Sequence, residues 1–385
     1  MAKLALFVAV ALHMVGFGAV IPVMPTLVKS LGGDAVVQGL LTSVFTLAQL
    51  ASAPLWGWVS DRVGRRVIIA AGLGLAALGH AGLYLARDLP TAFVARAIAG
   101  LGGGTLPAIQ AAVLELSRPE ERAASMALFG MAFGVGFVLG PLIGGVVAVL
   151  SPRGPFLTAA LLSATAALWT AAVYRSPASP PVPKAGGGGG EVVVLVAAAF
   201  FLMNMSFSQF ESIVSYYGSD LGLTPAYIGL MMAFAGVAAG GAQWAVRRLE
   251  RGGSVGRGIS VGLAAMASGL LAVAVPAVPA LFVGVAVASA GQIIASAFIS
   301  KAVAEGAEKV GLAFGVMQTA GSLGRLVGPA AGGYLYKALS PSAPFLAAAA
   351  LAVLTLALFA YGVRNSPVGT RLGGSLHVFQ EAHRH

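Results

Sequence analysis

Cysteine is absent from this sequence of 385 residues, and charged residues make up only 9% of it. Without cysteine, the chain can form neither a disulfide framework nor a thiolate metal site. The shortage of charge leaves too little polar surface to coat a soluble protein of this size. The sequence also shows no phosphate-binding loop, no cluster of metal ligands and no nucleophilic triad. We therefore expect neither a soluble enzyme nor a bound cofactor or metal.

Apolar residues dominate instead, at 58% of the chain with a mean hydropathy of +0.90. A bilayer core of roughly 30 Å takes about 20 helical residues to cross. The first apolar run is too long for a signal peptide and has no convincing cleavage site, so we interpret it as a retained span. We predict an all-α membrane protein with twelve transmembrane helices near 4–28, 36–58, 66–87, 90–116, 122–150, 154–174, 191–217, 224–246, 257–276, 278–300, 310–338 and 342–363.

A single linker divides these helices into two groups of six. Its sequence, RSPASPPVPKAGGGGGE, combines prolines with five consecutive glycines, which cannot continue a helix. We predict an N-terminal six-helix bundle at 1–174, a cytoplasmic linker at 175–190, a C-terminal six-helix bundle at 191–363 and a disordered cytoplasmic tail at 364–385.

The two halves also repeat each other in sequence. GPLIGG at 140–145, followed by SPRGPFL at 151–157, recurs as GPAAGG at 328–333, followed by SPSAPFL at 340–346. An offset near half the chain length indicates a duplication. Two pseudo-symmetric six-helix bundles are typical of a transporter whose substrate binds between the halves near the midplane, with alternating access by rocking of one half against the other.

The net charge of +10 follows the expected membrane topology. If the amino terminus is cytoplasmic, most Lys and Arg fall on the inner side, and Lys29, Arg87, Arg153 and Lys337 fall outside. This asymmetry obeys the positive-inside rule, so it explains the basic chain without a nucleic-acid partner. An even number of spans places both termini in the cytoplasm.

The densest charge cluster is GWVSDRVGRR, which lies between the second and third spans. It resembles the signature loop of the major facilitator superfamily, with the form G-x-x-x-D-R-x-G-R-R. The matching residues are Gly57, Asp61, Arg62, Gly64, Arg65 and Arg66. The resemblance implies a conformational latch, in which the acid makes an interdomain contact and the arginines pair with acids such as Glu115. The alternative is that the arginines only anchor the helices at lipid headgroups, although the two glycines suggest close helix approach and a tight turn.

Two further signatures of this family occur in order. Arg96 with Gly100 resembles the fourth-helix signature, and GMAFGVGFVLGPLIGG at 130–145 resembles the fifth-helix signature of the family's proton-driven antiporters. The resemblance covers about residues 4–363 and is strongest to the tetracycline and multidrug proton antiporters. His13 departs from the tetracycline exporters, which carry an acid there. We assign close helix packing and local bending to Gly134, Gly140, Pro141, Gly144, Gly145, Gly328 and Pro329.

Ionisable residues deep in the spans are functional candidates, because burying one in hydrocarbon is costly. They are His13, His80, Arg96, Glu211 and Arg325. We predict that His13, Arg96 and Glu211 take part in proton coupling, with the role of the arginine implied by the family resemblance. Two alternatives remain open: the histidine can be a hydrogen-bonded packing residue, and Glu211 can lie at the outer headgroup boundary.

The predicted substrate site is mostly apolar with a few polar groups. Asn204, Ser208 and Glu211 follow helical spacing, so they share a face that we expect to line a cavity. We place Gln292 and Gln318 beside it as further polar contacts. Its apolar lining would come from Phe17, Phe200, Phe201, Phe207 and Phe210.

These features together predict a secondary transporter of the prokaryotic plasma membrane. We expect it to export amphipathic drugs or metabolites in exchange for protons, as a monomer whose partners are a small-molecule substrate, protons and membrane lipid. One alternative is a symporter or uniporter for a small polar solute such as a sugar or organic acid, although deep polar residues are scarce. Another is a lipid or lysolipid flippase, or a transport-inactive sensor, on the same scaffold.

Overall fold

The computed structural model describes residues 2–174, 191–252, 254–306 and 310–365, so the predicted linker and nearly all of the predicted tail lie outside it. The described residues are almost entirely helical. The helices are α1 (Ala2–Val20), α2 (Met24–Ser30), α3 (Ala35–Val63), α4 (Arg65–Leu85), α5 (Leu89–Gly103), α6 (Leu106–Glu115), α7 (Arg122–Leu150), α8 (Gly154–Val173), α9 (Glu191–Asp220), α10 (Pro225–Gly252), α11 (Val255–Val273), α12 (Val278–Gly306), α13 (Val310–Ala338) and α14 (Ala343–Asn365).

Two of the predicted spans are interrupted. The first consists of α1 and α2 joined by a short 3-10 segment that contains Pro22, with Pro25 in the first turn of α2. The fourth consists of α5 and α6, which are separated at Gly104 and Thr105 just before Pro107. Proline lacks the amide hydrogen that continues a helix and clashes with the preceding turn. Both predicted spans are confirmed as segments long and apolar enough to cross a membrane, and each contains a break that the sequence analysis did not predict.

The described helices fit a twelve-span membrane fold. Within the described residues, eleven segments are long and apolar enough to cross a bilayer, with α1–α2 and α5–α6 each counted as one. Helix α13 is the twelfth long segment, with 29 residues. It falls short in apolar character because Gln318 and Arg325 lie within it. The all-α, multi-pass architecture agrees with the sequence prediction.

The segment from Gly57 to Arg66 is mostly helical. Helix α3 continues to Val63, and α4 begins at Arg65, so Gly64 alone separates them with φ +92°. This positive φ favours glycine and confirms the predicted tight turn. At Gly57, however, a Cβ atom would meet no described atom within 4 Å, so this position shows no close helix approach and that part of the prediction was wrong.

Contacts within the chain divide it into two compact units. One contains the helices before the linker together with residues 212–234, and the other contains residues 191–211, the rest of α10 and helices α11 to α14. The end of α9 and the start of α10 therefore pack with helices of the first half. The division of the chain into two six-helix halves stays a prediction from its internal repeat.

Within the first unit, α1 packs closely on α7 through a row of glycines. A Cβ at Gly140 would lie 2.7 Å from the carbonyl oxygen of Val15, and one at Gly144 would lie 2.7 Å from the carbonyl carbon of Ala19. Gly134 is on another side of α7 and would meet no described atom within 4 Å, so its predicted packing role was wrong. It is six residues before Gly140, and a step of 3.6 residues per turn carries it off the row that faces α1.

The other members of the predicted packing motif lie in helix contacts or inside helices. A Cβ at Gly145 would lie 2.9 Å from the Cα atom of Ala226 on α10. In the second unit, a Cβ at Gly328 would lie 2.5 Å from the carbonyl oxygen of Met205 on α9. Pro141 and Pro329 stand inside α7 and α13, in corresponding copies of the repeat. The repeated sequence thus brings helices together in both units.

Candidate functional site

A buried ion pair joins the start of α4 to the end of α6. The Arg65 side chain is 5% exposed, and its Nε donates to Oε2 of Glu115 at 2.7 Å. A second guanidinium nitrogen donates to Oε1 of the same carboxylate, and a third donates to Oγ of Ser60 at 3.2 Å. This two-pronged pairing matches the geometry of guanidinium and carboxylate. It confirms the predicted pairing with Glu115, whereas the side chain of Asp61 lies outside the described part.

The other two arginines of this segment make different contacts. Arg62 lies with its guanidinium 3.6 Å from the ring centroid of Trp58, and both side chains are exposed. Exposed tryptophan and arginine are typical of the membrane interface. Arg66 donates to the backbone carbonyl of Ala171, which ties α4 to α8. Among the described side chains of this segment, Arg65 is therefore the one that takes part in a buried ion pair.

Three deep ionisable residues of the first half come together in the first unit. His13, His80 and Arg96 are 4%, 1% and 5% exposed. Nδ1 of His13 lies 3.4 Å from Oγ of Ser163, and His80 lies within electrostatic range of both His13 and Arg96. Nδ1 of His80 and Nη1 of Arg96 have no hydrogen-bond partner among the described residues. Such buried, unpaired polar atoms are rare in folded proteins, so this cluster invites a functional explanation.

An aromatic surface adjoins this charged cluster. The guanidinium of Arg96 lies 4.6 Å from the ring centroid of Phe45, and its Nε donates to the carbonyl of Leu41 at 3.4 Å. The ring of Phe17 lies 5.3 Å from that of Phe45 and 6.1 Å from that of Phe137. Phe17 is half-buried, so part of its ring is free to contact a ligand. The sequence predicted this ring but not Phe45, which is far from Arg96 along the chain.

The second unit contains its own polar cluster, between α9 and α13. Nη1 of Arg325 donates to Oδ1 of Asn204 at 2.8 Å, and Nη2 donates to Oγ of Ser322 at 3.2 Å. Glu211 lies within electrostatic range of Arg325. Asn204 and Glu211 were predicted to share a face of α9, and of the two only Asn204 has a described hydrogen bond to Arg325. Ser322 was not predicted, although its spacing of three residues from Arg325 is the signal that would have found it.

The remaining predicted substrate contacts differ in their surroundings. Ser208 is buried and donates to the carbonyl oxygen of Gly324 at 3.3 Å, so it takes part in the contact between α9 and α13. Gln292 is half-buried on α12, and Gln318 is exposed on α13. The structure brings neither glutamine into a described side-chain contact with Arg325.

Two of the predicted phenylalanines belong to helix packing. Phe200 and Phe210 are 4% and 2% exposed, and the ring of Phe210 packs 5.6 Å from Phe207 and 6.4 Å from Phe345. This corrects the prediction that both line an open cavity. Phe201 and Phe207 are half-buried.

A polar contact that the sequence did not predict joins the ends of several helices within the first unit. Lys29, at the end of α2, lies 2.7 Å from Oδ1 of Asp220 and donates to Oγ of Ser219 at 2.7 Å. Its ammonium also lies 4.9 Å from the ring centroid of Tyr216. Nearby, Nε2 of Gln38 donates to the carbonyl of Ser212 at 3.3 Å. These contacts join α2 and α3 of the first half to α9 of the second.

The family is decided by a comparison over nearly the whole chain. The model of the Major Facilitator Superfamily matches residues 6–302 and 247–377. The chain belongs to the major facilitator superfamily. The long apolar helices of the described residues and the superfamily agree in indicating a multi-pass membrane protein.

Sequence relatives of this superfamily member include two groups of resistance proteins. It is 35% identical over 157 residues to "Tetracycline resistance protein, class C" of Escherichia coli, which is 40% of each chain. It is 30% identical over 173 residues to "Quinolone resistance protein NorA" of Staphylococcus aureus, which is 45% of each chain. The matched region therefore spans less than half the length of these relatives.

Solved structures of other superfamily members share the fold. The human organic anion transporter MFSD10 (TETRAN) matches with a TM-score of 0.70 and 23% identity, over 93% of this chain and 98% of that one. The nucleoside transporter NupG matches with a TM-score of 0.79 and 13% identity, over 94% and 99%. At these identities the likeness shows the fold alone.

Proposed function

We propose that this major facilitator chain is a proton-coupled exporter of amphipathic drugs or metabolites that works by alternating access. It would act as a monomer in a prokaryotic inner membrane, with both termini in the cytoplasm. The observation that carries the proposal is the buried cluster of His13, His80 and Arg96 beside the aromatic surface at Phe17 and Phe45. It joins titratable groups to an apolar binding surface in one unit. The tetracycline and quinolone resistance relatives support a drug-like substrate.

Charge repulsion explains how a proton would change the packing of this cluster. Arg96 is a permanent cation held by a ring face and a carbonyl. Protonation of His13 would add a second cation to the cluster around His80, and like charges repel strongly where water is excluded. The two contributing helices, α1 and α5, would then favour an arrangement that exposes the imidazolium to water. A bound proton thus shifts the balance between two conformations, as coupling requires.

Glu211 is the second proposed coupling group. Arg325 uses its two terminal nitrogens on Asn204 and Ser322, so it attracts Glu211 without a direct hydrogen bond. A carboxylate that lies within electrostatic range of a cation, but is not hydrogen-bonded to it, can gain and lose a proton without breaking the hydrogen bonds of Arg325 to Asn204 and Ser322. Its charge state then decides whether Arg325 is neutralised.

Two ion pairs would hold the ends of the helices during the cycle. The pair of Lys29 and Asp220 lies at the end that the positive-inside rule assigns to the outside, and the pair of Arg65 and Glu115 lies at the opposite end. Opening of the outer side requires the first pair to separate. We propose that Asp61 completes a cytoplasmic latch together with the second pair.

Transport assays in proteoliposomes test the coupling residues. His13→Gln and Glu211→Gln remove a titratable group while keeping a polar side chain. A coupling residue would lose drug accumulation driven by a pH gradient but retain exchange of drug across the membrane without a gradient. Glu250→Gln is the matched control, because Glu250 is exposed at the end of α10 and lies 3.7 Å from Lys301. Gradient-driven accumulation that equals the control would remove that residue from the coupling mechanism.

A further inference from the structure

Arg325 stands at the centre of a membrane-spanning helix and is exposed. It lies 15 residues after Val310 and 13 before Ala338, the two ends of α13. At 1.5 Å per residue it is about 20 Å from either end, which exceeds half of the roughly 30 Å hydrocarbon core. A guanidinium is charged at every physiological pH, so it cannot face lipid at this depth. Its exposed face must therefore meet water or an anionic ligand.

The surroundings of Arg325 hold it in one orientation. Oδ1 of Asn204 accepts from Nη1, and the amide of the same asparagine donates to the carbonyl of Phe200 at 2.8 Å, which fixes which way the amide points. Oγ of Ser322 accepts from Nη2. A guanidinium has five N–H groups, and within the described residues these two contacts are its hydrogen bonds. The remaining N–H groups can bind a planar, two-oxygen acceptor such as a carboxylate.

Close contact between α9 and α13 positions the site. A Cβ at Gly324 would lie 2.8 Å from the backbone nitrogen of Met205, and one at Gly321 would lie 2.7 Å from the ring of Phe200. No larger residue would allow the two helices to approach in this way. The glycines thus bring the backbone of α13 against α9, so that Arg325 reaches Asn204.

The polar side of α13 continues beyond the arginine. Gln318, Ser322 and Arg325 are spaced by four and three residues, so they lie on one face of the helix. The hydroxyl of Ser322 donates to the carbonyl of Gln318 at 2.8 Å. This face lowers the apolar character of α13 below that of the eleven other spans. A polar face at this depth is expected where a helix lines a substrate path.

The charge balance of the cluster selects a class of ligand. Arg325 bonds Asn204, and Glu211 lies seven residues after Asn204 on the same face of α9. An ionised Glu211 would therefore balance the positive charge of Arg325. A ligand with a carboxylate alone would leave an excess negative charge away from bulk water, which is costly. A ligand with both a carboxylate and an amine keeps the site neutral, because the amine faces the acid.

We propose that Arg325, oriented by Asn204 and Ser322, binds the carboxylate of a zwitterionic amphipathic substrate, whose amine lies toward Glu211. This assignment rests on the proposed export function, because it takes the bound ligand to be the exported substrate. Binding of the ligand can nevertheless be measured without transport. The proposal adds a carboxylate-binding subsite on α13 to a substrate site that is otherwise mostly apolar.

The test compares a matched pair of ligands, norfloxacin and its methyl ester. Norfloxacin carries a carboxylate and an amine, and the ester retains the amine alone. Titration calorimetry on the purified full chain in detergent measures both affinities without a gradient. We expect norfloxacin to bind more tightly than its ester, and Arg325→Gln to remove this preference by reducing norfloxacin affinity about tenfold or more. Arg325→Lys should give an intermediate loss, because lysine keeps the charge but not the planar fork.

The controls separate this subsite from folding and from the proposed function. Arg248→Gln changes another exposed arginine, which lies 5.2 Å from the ring of Trp244 on α10, and should leave the preference for the carboxylate unchanged. The ester reports whether each variant still binds a ligand. Equal binding of acid and ester by the original chain, or an equal loss of both in Arg325→Gln, would overturn the proposal. A preference for the acid without gradient-driven transport would uphold the subsite and contradict the exporter.

Discussion

Buried arginines of the first unit differ in how their charge is satisfied. Arg65 is neutralised by the carboxylate of Glu115 and also bonds Ser60. Arg96 has a ring face and a single carbonyl, and one of its nitrogens has no partner among the described residues. The first arrangement is suited to holding helices together, and the second leaves a cation able to respond to a neighbouring proton. We therefore propose that the same residue type serves structure at Arg65 and proton coupling at Arg96.

Removing the partner of Arg65 should destabilise the fold. Glu115→Ala would leave a buried guanidinium unpaired, and breaking a buried pair in this way costs about 3–5 kcal/mol. Glu115→Gln should cost less, because the amide oxygen still accepts one hydrogen bond. The measurement is the free energy of unfolding in a denaturant titration of the detergent-solubilised protein. Glu120→Ala, at an exposed position, is the control, and a Glu115→Ala variant as stable as this control would contradict the account.

A pH-dependent contribution is expected from Glu121, which lies outside the spans. Lys3 donates to Oε2 of Glu121 at 2.6 Å, and this contact lowers the pKa of the carboxyl below its usual value of about 4.5. A lowered carboxyl pKa adds stability above the usual value, and this contribution is lost as the pH falls through the lowered pKa. The difference in melting temperature between the original chain and Glu121→Gln should thus be present at neutral pH and shrink below about pH 4.5.

The effect should be small and sensitive to salt, because the pair is exposed. Melting curves at low and high ionic strength provide the check. A difference that grows on acidification, or that is unaffected by salt, would contradict the assignment to this ion pair.

The sequence predicted the residue types of the site better than their partners. His13, Arg96 and Glu211 stood out because ionisable groups in apolar runs are costly. Ser163, which contacts His13, could not be found, because 150 residues separate the two and serine carries no distinctive signal. The pairing of Arg65 with Glu115 was predicted because the family resemblance supplied the long-range contact.

At the scale of elements, helix bounds followed local chemistry. Helices α7 and α13 cover the predicted ranges 122–150 and 310–338, because charged or proline-rich turns flank both apolar runs. The breaks at Pro22 and Pro107 were missed, because the spans were predicted from hydropathy averaged over about 20 residues. Such an average does not change when one residue lacks the amide hydrogen that continues a helix. Proline positions, weighed by themselves, would have predicted both breaks.

The contact between α1 and α7 predicts opposite effects for two glycines on one helix. Gly140→Ala would press a Cβ against the backbone of Val15, and overpacking of this kind costs about 1–3 kcal/mol. Gly134→Ala meets open space, so the better helix propensity of alanine should leave stability unchanged or raise it by up to about 1 kcal/mol. Unfolding titrations of the two variants make the comparison. Equal destabilisation by both would contradict the described packing.

At the scale of the whole molecule, the apolar runs of the sequence predicted the all-helical, multi-pass architecture. They could not predict that residues 212–234 pack with the first half. That packing belongs to one conformation, and conformations of a transporter differ by only a few kcal/mol, which sequence patterns do not resolve. We propose that the contact of Lys29 with Asp220 is one of the interactions that distinguish these conformations.

Breaking this outer contact should favour an outward-open arrangement. The natural absence of cysteine allows a single reporter, Ser212→Cys, at a position that is 7% exposed. Adding Lys29→Glu creates repulsion with Asp220, so a membrane-impermeant maleimide should label the reporter several times faster. Restoring attraction with Asp220→Lys in the same chain should slow labelling again. Lys337→Glu, at another cation assigned to the outer side, serves as the control, and an equal rate in all variants would contradict a gating role for the pair.

Proton-driven export is tested most directly by drug accumulation in proteoliposomes with an acidic lumen. Norfloxacin, a tetracycline and a sugar are supplied outside, and their uptake is followed with and without a protonophore. Chains inserted with their cytoplasmic side outward should concentrate the drugs as protons leave, and the protonophore should abolish this accumulation, with no effect on the sugar. Saturable sugar uptake that is indifferent to the gradient, with no movement of either drug, would contradict the proposed function.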